Sequence, residues 1–325
     1  MKTFEYARPS SLDEAIELLG EDWGQTEVLA GGTDLVTAMK QRITTPDRVV
    51  SLQDIEELRG VSEEDGALRI GAMTPIGPFM RDSRVREHFP ALSTAMEGMA
   101  APQVYSRATI GGNLCQRPRC WYFRLGYGLL AQDNGRVMTE DGENRYHAIF
   151  GNDGAARFVH PSGLAPGFIA LNAEIHLLGP DGARSMAMED FFRIPSADGE
   201  RETALAPNEV VTHVTVPLNG KRNATYEVRD RGSLNWPLTA AAVAFSLNNG
   251  VAEDVRIVLG HVAPTPWDAP EAAEALEGAA PDEETAIACG NAAVEGATPL
   301  SRNGYKTQLV RTSVKRAILA AAQQA

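Results

Sequence analysis

An α+β fold is what this sequence predicts, and three observations lead to it. Near the N-terminus, short apolar runs alternate with helix-compatible segments in a β-α-β-α-β rhythm, the pattern of an α/β unit with some parallel pairing. Near the C-terminus, three strand patterns follow one another through turns and give way to helical ones, as in an antiparallel meander covered by helices. Between them, residues 116–160 are rich in Arg, Gly, Asn and aromatics and carry no period, which predicts a long excursion from the fold. The polar break LNGKRN at 218–223 divides the chain into an expected domain over 1–220, with subdomains 1–55 and 56–220 and the insertion 116–160, and a smaller domain over 221–325.

The elements follow in order. FEYARP is a short strand. SLDEAIELLGE opens with a capping box, Ser11 with Glu14 three residues on, and ends near Gly20. TEVLA (26–30) is an apolar strand that stops at AGGTDL, after which DLVTAMKQR suits a helix and DRVVSL (47–52) a strand. ALRIGAM (67–73) leads through Thr74 and Pro75 into helices around 76–82 and 89–99. SGLAPGFIALNAEIHLLGPDGARSMAMEDFF reads as helix, strand, Pro-Asp-Gly turn, strand and short helix, and EVVTHVTVPL (209–218) as an alternating strand. ATYEVRDRG, TAAAVAFSLNNG and VAEDVRIVLGHVAP form the meander. Two helices are expected after it: one bracketed by Asp268, Pro270 and Gly278, the other over roughly 305–323. The latter has Val310, Val314 and Ile318 on one stripe and Lys306, Arg311, Lys315 and Arg316 largely off it.

Composition narrows the function. A formal charge of −13 with scattered Lys and Arg disfavours a nucleic-acid partner. No apolar run approaches the ~18 residues of a membrane span, and MKTFEYARPSSLDEAIELL has no apolar core of a secretory signal, so a cytoplasmic setting is expected, with export alongside a signal-bearing partner as the other route. The three cysteines, Cys115, Cys120 and Cys289, argue against a disulfide framework and cannot supply an all-Cys four-ligand cluster.

Two glycine pairs carry the chemistry. Gly31-Gly32 lies between a strand and a helix, where bare backbone N–H groups and a helix N-terminus favour an anion. Thr33 can donate to a phosphate or cap the helix, and Asp34, awkward beside a phosphate, is expected to cap. Thr109-Ile110-Gly111-Gly112-Asn113 offers a hydroxyl, backbone donors and an amide in one turn. A tight turn and a nucleotide cradle both explain such a pair. Walker A, G-x-S-x-G and H-E-x-x-H patterns are absent, and Gly126–Ala131 matches G-x-G-x-x-A only outside a strand–helix context.

With AGGTDL and ATIGGN in place, the sequence resembles the FAD-binding (medium) subunits of the molybdenum hydroxylases, the xanthine dehydrogenase and carbon monoxide dehydrogenase family. The likeness runs in order through FEYARPSSLDEAIELL, VLAGGTDLV, LRIGAMT, ATIGGNL, SGLAPGFIALNAEI, EVVTHVTVP, YEVRDRGSLNWPLTAAAVAF and APTPWDAPEAAEALEG. The resemblance implies a FAD fold of the p-cresol methylhydroxylase type, two subdomains enclosing the cofactor and a C-terminal domain with a three-stranded antiparallel sheet. It implies that Val28, Leu29, Ala30, Gly31, Gly32, Thr33, Asp34 and Leu35 cradle the FAD pyrophosphate. It adds Thr109, Ile110, Gly111, Gly112 and Asn113 as the second wall, Thr74 as a lining residue, and Arg229 near the flavin. It implies electron relay by an oxidoreductase subunit, with a molybdenum cofactor on a large partner, [2Fe-2S] clusters on a small one, and FAD here passing electrons to NAD, a quinone or oxygen. No general acid or base and no metal ligand is then assigned to this chain.

Departures accompany the likeness. Relatives carry Arg-Asn where this chain has Tyr105-Ser106, and many have Ser-Asp at Ser162-Gly163, so a carboxylate is missing there. A subset of the family holds a four-iron cluster in a cysteine-bearing insertion. Cys120 and NRYHAIFG resemble it, but 121–160 has no further cysteine, so the scaffold is expected without the cluster. A zinc site of Cys115, Cys120, His147 and His160 competes with packed thiols and loop histidines. Arg117, Arg119 and Arg124 beside Trp121, Tyr122 and Phe123 suit a subunit interface or the packing of a long loop. Trp236 either borders the flavin or packs in the core, and His88, His176 and His213 are read as structural. Two other functions stay open: a non-redox assembly subunit that has lost its cofactor, and a stand-alone flavoprotein oxidoreductase of the same fold.

Overall fold

The computed structural model describes residues 1–98, 101–230 and 235–324. The N-terminal rhythm closes as a parallel sheet in the order Glu5–Ala7, Arg48–Ser51, Thr26–Leu29, with helices Leu12–Glu17 and Leu35–Lys40 as its crossovers. The first cap forms as a shifted box. Ser11 Oγ accepts from Glu14 N at 3.3 Å, while the Glu14 carboxylate accepts from Ser10 N at 2.8 Å.

A five-stranded antiparallel sheet follows, ordered Val61–Glu64, Ala67–Gly71, Val210–Pro217, Glu174–Gly179, Gly182–Ala187. Its first strand was not expected. VSEE is half exposed and polar, so no alternation marks it. The Asp65-Gly66 turn does, both residues having positive φ (48° and 74°) as a tight hairpin requires. Helices Ile76–Arg81, Ser83–His88, Pro90–Glu97 and Ala165–Ala170 bury Phe79, Leu92 and Phe168 in the core of this layer. The expected end of the third of these at 99 lies outside the described residues.

The C-terminal sheet is a meander of four strands, not three: Arg222–Val228, Thr239–Asn248, Val251–Gly260 and the two-residue Trp267–Asp268. The end of the expected ATYEVRDRG strand, at 231–232, lies outside the described residues. Both faces of the sheet are covered, which is why TAAAVAF reads as an unbroken apolar run. Ala242, Ala244 and Val258 join the core of the preceding layer, while Val243, Phe245 and Ile257 pack under the C-terminal helices. Three helices cover that second face where two were expected: Pro270–Leu276, Glu283–Ala292 and Tyr305–Ala322. The added one has a recognisable start, Asp282 Oδ1 accepting from Thr285 N at 2.9 Å. Val310, Val314 and Ile318 are fully buried, as their stripe requires, but Lys306 is buried with them. A spacing of four residues places 306 on the stripe of 310 and 314, so its assignment to the solvated face is corrected. Its Nζ donates to the carbonyls of His261 (2.9 Å), His147 (3.1 Å) and Tyr146 (3.2 Å).

The insertion 116–160 is ordered around a small core of its own, Phe123, Leu129, Leu130, Ala156 and Phe158, with a short helix Trp121–Arg124 and a hairpin pairing Gln132–Asp133 with Arg136–Val137. Asn144 donates to Ser301 Oγ (3.0 Å), and Asn303 donates to the carbonyls of His147 (3.2 Å) and Ala148 (3.1 Å), so the insertion docks on the C-terminal layer.

Candidate functional site

Gly31 is where the two glycine segments meet. A Cβ on it would lie 1.9 Å from the carbonyl oxygen of Arg107, so only glycine lets the AGGTDL loop lie against the backbone that leads into TIGGN. Gly32 takes φ +75°, which carries the chain into helix Leu35–Lys40. The N–H groups of Gly31, Gly32, Thr33 and Asp34 donate to no described residue. TIGGN is not a turn but the start of a short helix, Ile110–Leu114, capped by Thr109 Oγ1 accepting from Gly112 N at 3.2 Å.

Asp34 does not cap its helix. Its carboxylate accepts from Arg117 N (2.9 Å), from Arg124 Nη2 (2.9 Å) and from Arg119 Nη1. Burial pushes this carboxyl up, but the Arg119 and Arg124 charges and the hydrogen bonds outweigh it and hold Asp34 below its ordinary range. The arginines that resemble an external patch thus point inward and fasten the insertion to the glycine loop. Arg117 Nε also donates to Glu202 at 2.9 Å. Buried Arg119 Nε and Arg124 Nη1 have no partner among the described residues. Unused N–H groups on a glycine loop, beside the Arg119 guanidinium at the cleft, fit a phosphate-bearing ligand.

Two cavities meet at this point. One, of about 180 Å³, runs from Thr33 and Asp34 past Val28, Ala30 and Leu35 towards Glu27 and Arg201. The other, of about 290 Å³, runs the opposite way past Met96, Gly163, Glu227 and Arg229 to Trp236. They share Thr33, Asp34, Gly112 and Gln116, so they form one cleft, and together they fall in the size range of small-molecule sites, roughly 300–1,000 Å³. A third cavity, of about 300 Å³, opens behind Arg119 and Trp236.

The expected residues separate into lining and support. Val28, Ala30, Gly31, Gly32, Thr33, Asp34, Leu35, Thr109, Gly112, Asn113 and Arg229 border the cleft. Leu29, Thr74, Ile110 and Gly111 do not: they lie beneath it. Leu29 Cδ1 packs under Gly32. Thr74 is buried, its hydroxyl on Gly60 O at 3.0 Å and its carbonyl on Ile110 N at 3.1 Å, so it sets the second loop from behind. Ile110 is core, and Gly111 N donates to Ala72 O at 2.8 Å. Asn113 spends its amide oxygen on Ser162 Oγ (2.7 Å) and Leu164 N (3.4 Å), which ties the loop to helix Ala165–Ala170.

Glu227 was not anticipated. Oε2 accepts from both Nε (3.2 Å) and Nη2 of Arg229, and burial raises the acid to about 7 against the pull of that arginine. The sequence holds the signal, since Glu227 lies two residues before Arg229, just past the end of strand Arg222–Val228, a spacing that in extended backbone puts both on one side. At Gly163, an added Cβ would lie 2.8 Å from the Met96 methyl and 3.5 Å from Glu227 Oε1, so a carboxylate from strand Arg222–Val228 stands beside the place where one is missing. His261 borders the same space with positive φ (61°), and burial lowers it to about 3.

The cysteines do not assemble with His160. Cys120 Sγ lies 3.2 Å from His147 Nε2, whereas His160 packs edge-on to Phe192 with ring centroids 4.5 Å apart. Among the described residues no three His, Cys, Asp or Glu converge as metal ligands. Trp236 is exposed, with the Arg119 guanidinium 4.7 Å over its ring, so it borders the cleft mouth and not the core.

Comparison with known proteins accords with this geometry. Residues 2–219 match the FAD binding domain in molybdopterin dehydrogenase, and residues 224–321 match the CO dehydrogenase flavoprotein C-terminal domain. The FAD-binding subunit of an aldehyde oxidoreductase from Escherichia coli is 32% identical over 335 residues, covering 100% of each chain. The carbon monoxide dehydrogenase medium chain of Hydrogenophaga pseudoflava is 31% identical over 323 residues, covering 98% of this chain and 96% of that one. A solved structure of carbon monoxide dehydrogenase from Hydrogenophaga pseudoflava superposes with TM-score 0.76 at 30% identity, covering 98% and 96% of the two chains. That of quinoline 2-oxidoreductase from Pseudomonas putida does so with TM-score 0.77 at 26% identity, covering 99% of each.

Proposed function

This chain belongs to the family of FAD-binding medium subunits of the molybdenum hydroxylases, the oxidoreductases of the xanthine and carbon monoxide dehydrogenase type, and we propose that it binds FAD in the cleft and relays electrons through it. The single observation that carries the reading is the seating of Gly31 against the Arg107 carbonyl, which brings two separate glycine segments together as the two sides of one cradle with unspent N–H donors. FAD, when bound, supplies reversible two-electron chemistry; the residues here bind, orient and shield it. Gly31, Gly32 and Thr33 hold the pyrophosphate with their N–H groups. Gly112 keeps the opposite wall bare, and Asp34, locked by three arginine contacts, fixes the insertion as the roof. Arg229 lies at the far end, by the ring.

The reading extends to the assembly. The two N-terminal sheets enclose the cofactor as in the p-cresol methylhydroxylase-type fold, and the domain after about residue 220 closes over it. Electrons arrive from [2Fe-2S] clusters on a small partner, fed by a molybdenum cofactor on a large one, and leave to an external acceptor. Three free thiols suit a cytoplasmic setting; no helix among the described residues is long and apolar enough to cross a membrane. Cofactor and metal analysis of the purified complex tests this. FAD near one per chain, molybdenum, and iron accounted for by the partner support it. A well-folded preparation without flavin, and unable to take up added FAD, overturns it.

A further inference from the structure

Strand Arg222–Val228 runs into the cleft, and Glu227 near its end is left half satisfied. Its side chain is 9% exposed. Oε2 is occupied by Arg229, whereas Oε1 is buried without a hydrogen-bond partner among the described residues, on a residue that lines the cavity. A buried carboxyl oxygen without a partner is costly, and a fold retains one where a ligand completes it. Beside Oε1 stand Gly163, which has no side chain, and Met96 from helix Pro90–Glu97. A Cβ on Gly163 would lie 3.5 Å from Oε1 and 2.8 Å from the Met96 methyl, so the place is covered by a flexible, unbranched thioether that lines the same cavity and that a ligand can displace.

Among the described residues, the charged and titratable groups near Glu227 are few. Arg229 on its own segment grips the other oxygen. Across the cleft stand Asp34 and Arg119, paired with each other. His160 and His261, from the two flanking loops, are both buried and kept neutral, each lowered to about 3 by burial. Asp230 is exposed and borders the neighbouring cavity. Burial accordingly dominates at Glu227, raising it to about 7.

Resting on the FAD reading above, we propose that Glu227 recognises the flavin ring as a neutral carboxylic acid, its Oε1–H donating to a carbonyl or ring-nitrogen acceptor of the isoalloxazine while Arg229 fixes the carboxyl in that pose. Glu227 is a cofactor-binding residue under this proposal, and its proton is linked to FAD affinity.

The test is the dissociation constant of oxidised FAD for the flavin-stripped full chain, followed by fluorescence quenching between about pH 5.5 and 8.5, a range in which the oxidised ring itself does not titrate. One neutral hydrogen bond corresponds to about 2–10-fold in affinity. Wild type is expected to bind that much more weakly at the alkaline end. Glu227→Gln, whose amide donates at every pH, is expected to retain tight binding with a flat profile. Glu227→Ala is expected to bind weakly with a flat profile, its fold checked by circular dichroism. A flat wild-type profile, affinity that rises with pH, or an unchanged slope in Glu227→Gln overturns the proposal while leaving the FAD reading standing. Wild type that takes up no FAD at any pH overturns both.

Discussion

Asp34 shows how a residue's role depends on what arrives from elsewhere in the chain. Next to a helix start it suits a cap, yet residues more than eighty positions away claim its carboxylate. Removing that charge strands two guanidinium groups on a partly buried surface, and breaking a buried pair costs about 3–5 kcal/mol. The Asp34 side chain is 16% exposed, which lowers the expectation for Asp34→Asn to about 2–3 kcal/mol, read from urea or thermal unfolding. Wild-type stability in that variant would show that the arginines find other partners. Gly31→Ala acts on geometry alone, because the new methyl has to displace the Arg107 carbonyl. FAD affinity is expected to fall at least about tenfold, a loss of about 1.4 kcal/mol, as measured by flavin titration. Gly24→Ala makes a useful contrast: its position is strained by φ +90° but open, so its effect is on stability and not on FAD binding.

At the scale of elements, buried polar groups decide how layers join. The last helix, Tyr305–Ala322, reaches the insertion through Lys306, whose three carbonyl partners come from two separate segments. Lys306→Met keeps the stem volume but leaves those carbonyls unsatisfied, so a loss of about 2–3 kcal/mol is expected in thermal or denaturant unfolding. The five-stranded sheet carries a cross-strand pair, His176 and His213, stacked with ring centroids 4.0 Å apart. Burial lowers both, His213 to about 4 with the His176 and Arg69 charges adding to the effect. A lowered folded value means that the unfolded chain binds more protons below pH about 6.5, so this pair's contribution is present above that pH and is lost as pH falls towards 4. The melting temperature is expected to drop over that interval, less steeply in the His176→Gln, His213→Gln double variant. Equal slopes would assign the acid sensitivity to the other buried histidines.

Across the whole molecule, the insertion is fastened inward by its arginines and outward-facing through its aromatics. Trp121, Leu125, Tyr127 and Tyr146 are exposed on it, and Trp and Tyr are enriched in interface anchors. Replacing Leu125 and Tyr127 by Ser is expected to weaken co-purification with the partner subunits while the melting temperature stays within about a degree, since both side chains are exposed. Unaltered co-purification would place the interface on another face.

Much of this was readable beforehand because it depends on neighbours in sequence. Strand–helix alternation, the Ser11 cap, the Pro270 start and Gly278 stop, and the Val310-Val314-Ile318 stripe are local patterns with local causes. The order of motifs from AGGTDL to APTPWDAPEAAEALEG was enough to identify the family. Hidden from that reading were features set by distant partners. They include the polar strand Val61–Glu64, the helix Glu283–Ala292, the burial of Lys306, and Leu29, Thr74, Ile110 and Gly111 as supports beneath the cleft. The sequence by itself determined which elements form and which family they serve, because hydrophobic period, caps and turns act over a few residues. Only the tertiary structure decided that Asp34 grips arginines and that Glu227 lines the cleft half satisfied, because burial and charge pairing depend on which segments the folded chain brings together.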